Sequence, residues 1–181
     1  MFEPIDLRRP TYIVLEVPAV LAARVLELRT KYRPDYAPLP AEITLIGSSG
    51  RGVLEPTQSA AAVIARVDEI AESTLPLKVR FADMETFPGS GVYFFPPVPR
   101  EPFEELHLRL LEAGILCRSS PFPFRPHLTI ARIASPKLGS KLLAESAPEG
   151  EFMIDQLAIY SQVGFDTRVH HRTRLRGSTT V

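Results

Sequence analysis

The sequence predicts an α+β fold built as a duplicated, pseudo-two-fold unit, with two antiparallel sheets forming a central groove and helices outside. Three observations predict it. Short β-branched or aromatic runs alternate with helix-length amphipathic segments. Prolines, 18 in all, punctuate the chain and close many of those runs. The order strand, helix, proline-rich loop, short strand, helix occurs twice.

The elements follow in order. Residues 12–17 are apolar and β-branched and stop at Pro18, as a buried strand does. Residues 19–31 carry Val20, Leu21, Val25 and Leu26 at helical spacing, and Pro34, Pro38 and Pro40 then make a loop. Residues 43–46 form a short strand ended by Gly47-Ser48-Ser49-Gly50. Residues 57–73 form a helix with Val63, Ile64, Val67 and Ile70 on one face. Residues 77–82 alternate apolar and polar, and residues 92–95 are a further strand. Residues 102–113 are a helix with Leu106, Leu110 and Leu111 inward and Gly114 as its C-terminal cap. Residues 128–133 are a strand; residues 135–145 are a helix with Ser135 as N-cap and Pro136 at its first position. Residues 152–162 and 167–175 close the chain as an antiparallel pair, and the last few residues are expected to fray.

The first copy runs Tyr12-Ile13-Val14-Leu15, a helix near Leu26, then Glu42-Ile43-Thr44-Leu45; the second runs Tyr93-Phe94-Phe95, a helix near Leu110, then His127-Leu128-Thr129-Ile130. The expectation is one domain over residues 1–181, made of two similar halves, about 10–85 and 90–165, that share the C-terminal strand pair.

Bulk properties narrow the function. With 45% hydrophobic and 23% charged residues, the chain of 181 residues can bury a sizeable core without a metal or disulfide staple. Lysine plus arginine equals aspartate plus glutamate, 21 each, which argues against gripping long duplex nucleic acid through its phosphates. The single Cys117 excludes an internal disulfide and a multi-cysteine zinc site, is expected to be buried, and suits a reducing, cytoplasmic setting. The first ten residues lack the apolar core of a signal peptide, and no apolar run reaches the ~20 residues of a membrane span.

The chemistry sits in Arg125-Pro126-His127-Leu128-Thr129-Ile130-Ala131-Arg132. Residues i and i+2 of a strand share a face, so His127 and Thr129 point one way while Leu128 and Ile130 enter the core. The matching place in the first half is Ala41-Glu42-Ile43-Thr44-Leu45-Ile46-Gly47, where Glu42 and Thr44 share a face. Related by a two-fold axis, the halves bring two acid/base groups and two hydroxyls to one groove.

These two segments resemble the paired His-x-Thr/Ser motifs of the two-histidine (2H) phosphoesterases, the group of the 2′-5′ RNA ligases and cyclic phosphodiesterases. Phe124-Arg125-Pro126-His127-Leu128-Thr129 is similar to the second motif, and Glu42-Ile43-Thr44 to the first, with glutamate where the family has histidine. The resemblance implies a metal-independent, cofactor-free hydrolase for a 2′,3′-cyclic nucleotide, an RNA end or a small cyclic phosphate. It assigns His127 and Glu42 to catalysis and Thr44 and Thr129 to the phosphate. An ordinary glutamate titrates near 4.3 and histidine near 6.5, so the expectation is an ionised Glu42 base facing a His127 whose pKa the carboxylate raises. That carboxylate also repels phosphate, so the replacement can preserve a one-way hydrolysis, slow it, or mark a descendant that only binds nucleotides or RNA ends.

Arg51, Arg125 and Arg132 are further candidates for phosphate contact, and Phe122 and Phe124 for stacking on a base. Gly47-Ser48-Ser49-Gly50-Arg51-Gly52 lacks the Lys-Ser/Thr ending of a phosphate loop and reads as a flexible rim of the groove. His107 reads as an exposed or capping helix residue. The adjacent His170 and His171 point to opposite faces, cannot chelate one metal together, and read as part of a solvated basic edge with Arg168, Arg172 and Arg174. The partners expected are a small phosphodiester or RNA end, no membrane and no long duplex, with the chain as a monomer. A third possibility is a duplicated sheet that serves only as a partner surface.

Overall fold

A computed structural model describes residues 5–177; the expected fraying at the extreme C-terminus falls largely outside them. The strands are β1 (Thr11–Glu16), β2 (Glu42–Ile46), β3 (Arg51–Leu54), β4 (Leu77–Phe81), β5 (Glu85–Thr86), β6 (Val92–Phe95), β7 (Pro97–Val98), β8 (Cys117–Ser119), β9 (Leu128–Arg132), β10 (Phe152–Ile154), β11 (Gln156–Val163) and β12 (Asp166–Arg174). The helices are α1 (Ala19–Tyr32), α2 (Ala60–Glu72), α3 (Glu101–Glu112) and α4 (Pro136–Leu143), with a single 3-10 turn at Pro34–Tyr36. None of the helices among the described residues is long and apolar enough to cross a membrane.

Seven strands form one antiparallel sheet in the order β12-β11-β1-β2-β9-β6-β5. Its centre is a single pairing, Ile43 with Leu128, where β2 from the first half meets β9 from the second. A three-stranded sheet, β10-β4-β7, and a β3-β8 ribbon complete the strands. The segment read as one strand over residues 152–162 divides: Phe152–Ile154 joins β4, and only β11 pairs with β12. Phe152 and Ile154 are buried in the core, so this stretch gains more from the inner sheet than from extending the outer one.

One core cluster lies between the helices and one face of the large sheet, joining Ile13, Leu15, Ile43 and Leu45 to Leu128, Ile130 and Phe95. Val14, Ala158 and Tyr160 form a separate small cluster on the other face, with Tyr12 and Val169 against it. The α1 stripe differs from the sequence reading: Leu21, Val25, Leu28, Arg29 and Tyr32 are buried, while Val20 and Leu26 are exposed. The apolar pattern fits either of two rotations of the helix, and docking against β9 selects the one that buries Arg29.

The α3 reading is corrected at His107, which is buried rather than exposed. Its Nδ1 and the carbonyl of Leu45 lie 2.8 Å apart, so Nδ1 donates to that oxygen. The ring stacks flat on Phe124, centroids 3.9 Å apart, and burial holds its pKa below the usual histidine range. Gly114 caps α3 at a φ of 74°, as its sequence position predicts. On α4, Ser135 Oγ accepts from the Leu138 amide at 3.4 Å. A methyl group on Gly139 would overlap the Tyr93 hydroxyl. Gly139→Ala therefore destabilises the fold by about 1–2 kcal/mol despite the better helix propensity of alanine, read as a lower denaturation midpoint; an unchanged or raised midpoint contradicts this packing.

Candidate active site

Ile43 and Leu128 pair at the centre of the sheet with their side chains fully buried in the core. Side chains alternate along a strand, so Glu42 and Thr44 on β2, Thr129 on β9 and His127 just before it all turn to the opposite face. The antiparallel register sets Glu42 across from Thr129 and Thr44 across from His127. Two polar pairs thus stand side by side at the junction of the two halves.

Glu42, Thr44 and Thr129 line a cavity of about 190 Å³, whose wall on the first-half side is Tyr12, Val14, Tyr36 and Tyr160. The Thr44 hydroxyl donates to the Glu42 carboxylate, 3.1 Å from each oxygen. Glu42 keeps one side open to the cavity but protein surrounds it otherwise, and this burial raises its pKa to about 7 against the opposing pull of Thr44 and of the Arg29 charge. Proximity to that carboxylate adds to the burial that raises Tyr12.

Arg29 explains how the junction holds. From α1 its guanidinium donates through Nε to the carbonyl of Ile130 (3.1 Å), through Nη2 to Thr129 (2.8 Å), and through Nη1 to Leu39 (2.6 Å) and Pro40 (3.2 Å). Burial lowers its pKa to about 10, so it stays cationic at neutral pH. It ties the first-half helix and the loop before β2 to the strand that carries Thr129. A charged residue eight positions after Leu21, on the buried stripe of an amphipathic helix, is the sequence signal that marks it once the stripe is correctly placed.

His127 lies on the second-half side of the array. Its Nδ1 is 2.7 Å from the Arg125 carbonyl. A carbonyl can only accept, so Nδ1 carries the proton and Nε2 is left with the lone pair. The ring is braced edge-on by Phe87 and Phe94, with centroids 5.1 and 5.2 Å away. Burial among those rings, aided by the Arg125 charge, lowers its pKa. This reverses the sequence expectation: the histidine is shifted toward its neutral form and the glutamate toward its acid, because desolvation is the largest cause of both shifts.

The other candidates are dispersed. Arg125 forms an ion pair with Glu85 and lies over the Phe87 and Phe94 rings, 5.4 and 5.3 Å from their centroids, so it buttresses the His127 pocket. Arg51 is exposed on β3, opposite Ser119, and does not line the cavity. Arg132 donates to the Ser90 carbonyl at 3.1 Å and lines a separate groove with Arg33. Phe124 is engaged by His107, and Phe122 is 66% exposed; neither lines the cavity. The solvated histidine strip is also corrected: His170 is buried and shares a hydrogen bond of 2.8 Å with Ser161, His171 meets Asp68 at 2.6 Å, and Arg172 pairs with Glu16. Cys117 is half-buried rather than buried, its thiol pushed up to about 11 by desolvation.

An antiparallel sheet whose midline carries two facing Glu/His-x-Thr segments defines the class, an α+β protein with a polar cleft between two sheet halves. Comparison with known proteins then places it: the chain matches the model of the 2′-5′ RNA ligase superfamily over residues 17–165 and belongs to that family. It is similar to an inferred phosphoesterase of Geobacillus sp. (strain WCH70), 34% identical over 111 residues, which is 58% of each protein; the match thus spans under two thirds of that relative's length. Its fold is similar to that of TT0787 of Thermus thermophilus (TM-score 0.64, 22% identity, 92% of this chain and 98% of that one). It is similar also to E. coli LigT crystallised with 3′-AMP (TM-score 0.61, 21% identity, 92% and 98%).

Proposed function

We propose that this chain is a phosphodiesterase of the two-histidine type that opens a 2′,3′-cyclic phosphate on a nucleotide or RNA end, with His127 as base and Glu42 as acid. The observation that carries this reading is the register at Ile43 and Leu128, which gathers Glu42, Thr44, His127 and Thr129 on one face at the junction of the halves. In such a register the diagonal pair, here Glu42 and His127, is roughly 7–8 Å apart, a span that admits one phosphoryl group. The same register supports reading the chain as one domain of two related halves. Family membership and the LigT complex with 3′-AMP favour a nucleotide substrate, and the reading sets the protein in the cytoplasm.

The roles follow from protonation. A base must be neutral and an acid protonated before the reaction starts. His127 with a lowered pKa and Glu42 with a raised one favour that state together, whereas the opposite assignment requires the charged form of each group, which both shifts disfavour. Nε2 of His127 takes a proton from water, the water oxygen bonds to phosphorus, the bond from phosphorus to the ribose oxygen breaks, and the Glu42 carboxyl protonates that oxygen. Thr129 and Thr44 hold the non-bridging oxygens. Solvent then returns a proton to Glu42 and removes one from His127.

The test is hydrolysis of the four nucleoside 2′,3′-cyclic phosphates across pH. The expected kcat/KM profile is a bell: it rises with pH as His127 deprotonates, on the acid side of an ordinary histidine, and falls through about pH 7 as Glu42 loses its proton. Glu42→Gln removes the falling limb and lowers the maximum on the order of 10²-fold. A wild-type profile that keeps rising above pH 8 excludes Glu42 as the acid. One contact favours a second reading, a module that binds without turnover: Thr44 spends its only hydroxyl proton on Glu42 and must release it to hold phosphate. No hydrolysis of any cyclic substrate, together with measurable nucleotide binding, selects that reading.

A further inference from the structure

The cavity lies to one side of the catalytic array. It reaches Glu42, Thr44 and Thr129 but not His127, whose flank is filled by Phe87, Phe94 and Arg125. A substrate larger than its phosphate therefore has room on the Glu42 side. We infer that the wall formed by Tyr12, Tyr36 and Tyr160 is the subsite for the nucleoside that carries the leaving oxygen, an inference that rests on the phosphodiesterase reading and gives it a direction.

The wall is held rigid by its surroundings. Tyr160 is nearly buried and its hydroxyl donates to Glu16 Oε1, the same oxygen that Arg172 pairs with at 2.8 Å. Tyr12 packs so closely on Gly47 that a methyl group there would overlap its ring. Tyr36 is held by Arg33, whose guanidinium lies 4.5 Å from the ring centroid, and by the edge of Phe165 at 5.7 Å. Arg33 is itself anchored by Asp35 at 2.6 Å.

The lining selects the ligand class. The partly exposed rings of Tyr12 and Tyr36, over the buried Tyr160 and Val14, offer stacking and apolar contact, which any nucleobase satisfies through its π-face. The cation in the lining, Arg29, directs four of its five N–H donors to backbone carbonyls, so the wall suits a neutral base and ribose rather than a polyphosphate. The volume of about 190 Å³ is the space of roughly six waters, too small for more than one nucleoside unit. That unit is either a free mononucleotide or the terminal residue of an RNA. The phosphate, placed over the two threonines, then presents its ribose oxygen to Glu42 and its opposite face to His127. The direction of attack inferred from space agrees with the roles assigned above.

The experiment compares kcat/KM for adenosine 2′,3′-cyclic phosphate, an oligoribonucleotide ending in a 2′,3′-cyclic phosphate, and glycerol 1,2-cyclic phosphate, which has no base. The variants are Tyr36→Ala, Tyr36→Phe as the conservative partner and Phe122→Ala as an exposed ring off the cavity. Tyr36→Ala is expected to lower the ratio of nucleotide to glycerol substrate about tenfold, equivalent to about 1.4 kcal/mol of lost stacking, mainly through KM. Tyr36→Phe restores the ratio, and Phe122→Ala leaves it unchanged. A fall for both nucleotide substrates extends the subsite to RNA ends; a fall for one alone identifies that one as the occupant. The inference is overturned if Tyr36→Ala leaves the ratio unchanged, or if Phe122→Ala is the variant that lowers it. Should the wild type hydrolyse none of the three, calorimetry with 3′-AMP separates the claims. Binding weakened about tenfold by Tyr36→Ala keeps the subsite while the phosphodiesterase reading fails, and equal binding removes the subsite as well.

Discussion

His127→Ala is expected to lower turnover of a 2′,3′-cyclic nucleotide on the order of 10²–10⁴-fold, the range for loss of a positioned general base. The loss falls on kcat, because the ring acts on water and the nucleoside wall lies on the other side of the array. His127→Asn is the sharper variant: its amide can still donate to the Arg125 carbonyl and fill part of the space between Phe87 and Phe94, but it has no basic nitrogen. Full loss in His127→Asn with an unchanged denaturation midpoint assigns the effect to chemistry rather than packing. Retention of more than a tenth of wild-type turnover in both variants rules out His127 as the base.

Arg29→Met is expected to cost about 3 kcal/mol of stability and most of the activity. The change keeps much of the aliphatic volume but removes the donor to four backbone carbonyls, at Leu39, Pro40, Thr129 and Ile130. Hydrogen bonds from a charged, buried group are worth more than neutral ones, and stranded acceptors add their own desolvation cost. Urea denaturation reads the loss as a lower midpoint at unchanged slope. Arg29→Lys recovers only part of it, since one ammonium cannot span the same four oxygens. A midpoint within about 0.5 kcal/mol of wild type would mean that the junction of β2 and β9 is held by its apolar pairs alone.

How much of this was legible before folding depends on the range of the interactions. The facing of His127 with Thr129, and of Glu42 with Thr44, follows from the two-residue period of a strand, which is local. The caps at Ser135 and Gly114 are local too. The tyrosine wall was not legible. Tyr12 and Tyr160 meet because β1 pairs with β11, with Tyr12 opposite Tyr160, and Tyr36 reaches them through a turn whose prolines only indicated a loop. Phe122 and Phe124, nearer to the motif in the chain, stay off the cavity. The α1 stripe shows the same limit: Val20 and Leu26 satisfy helical spacing as well as Leu28 and Arg29 do, and only the neighbour across the interface distinguishes them.

The chain by itself determined the α+β class, the alternation that sends Ile43 and Leu128 inward, and the four polar side chains on the opposite face. Tertiary structure decided toward which protonation states those groups are shifted, which side of them stays open, and which buried cation joins the halves. The division is physical: side-chain direction is set by backbone geometry within a few residues, whereas the Glu42 pKa of about 7 and the lowered pKa of His127 come from water excluded by segments far apart in sequence.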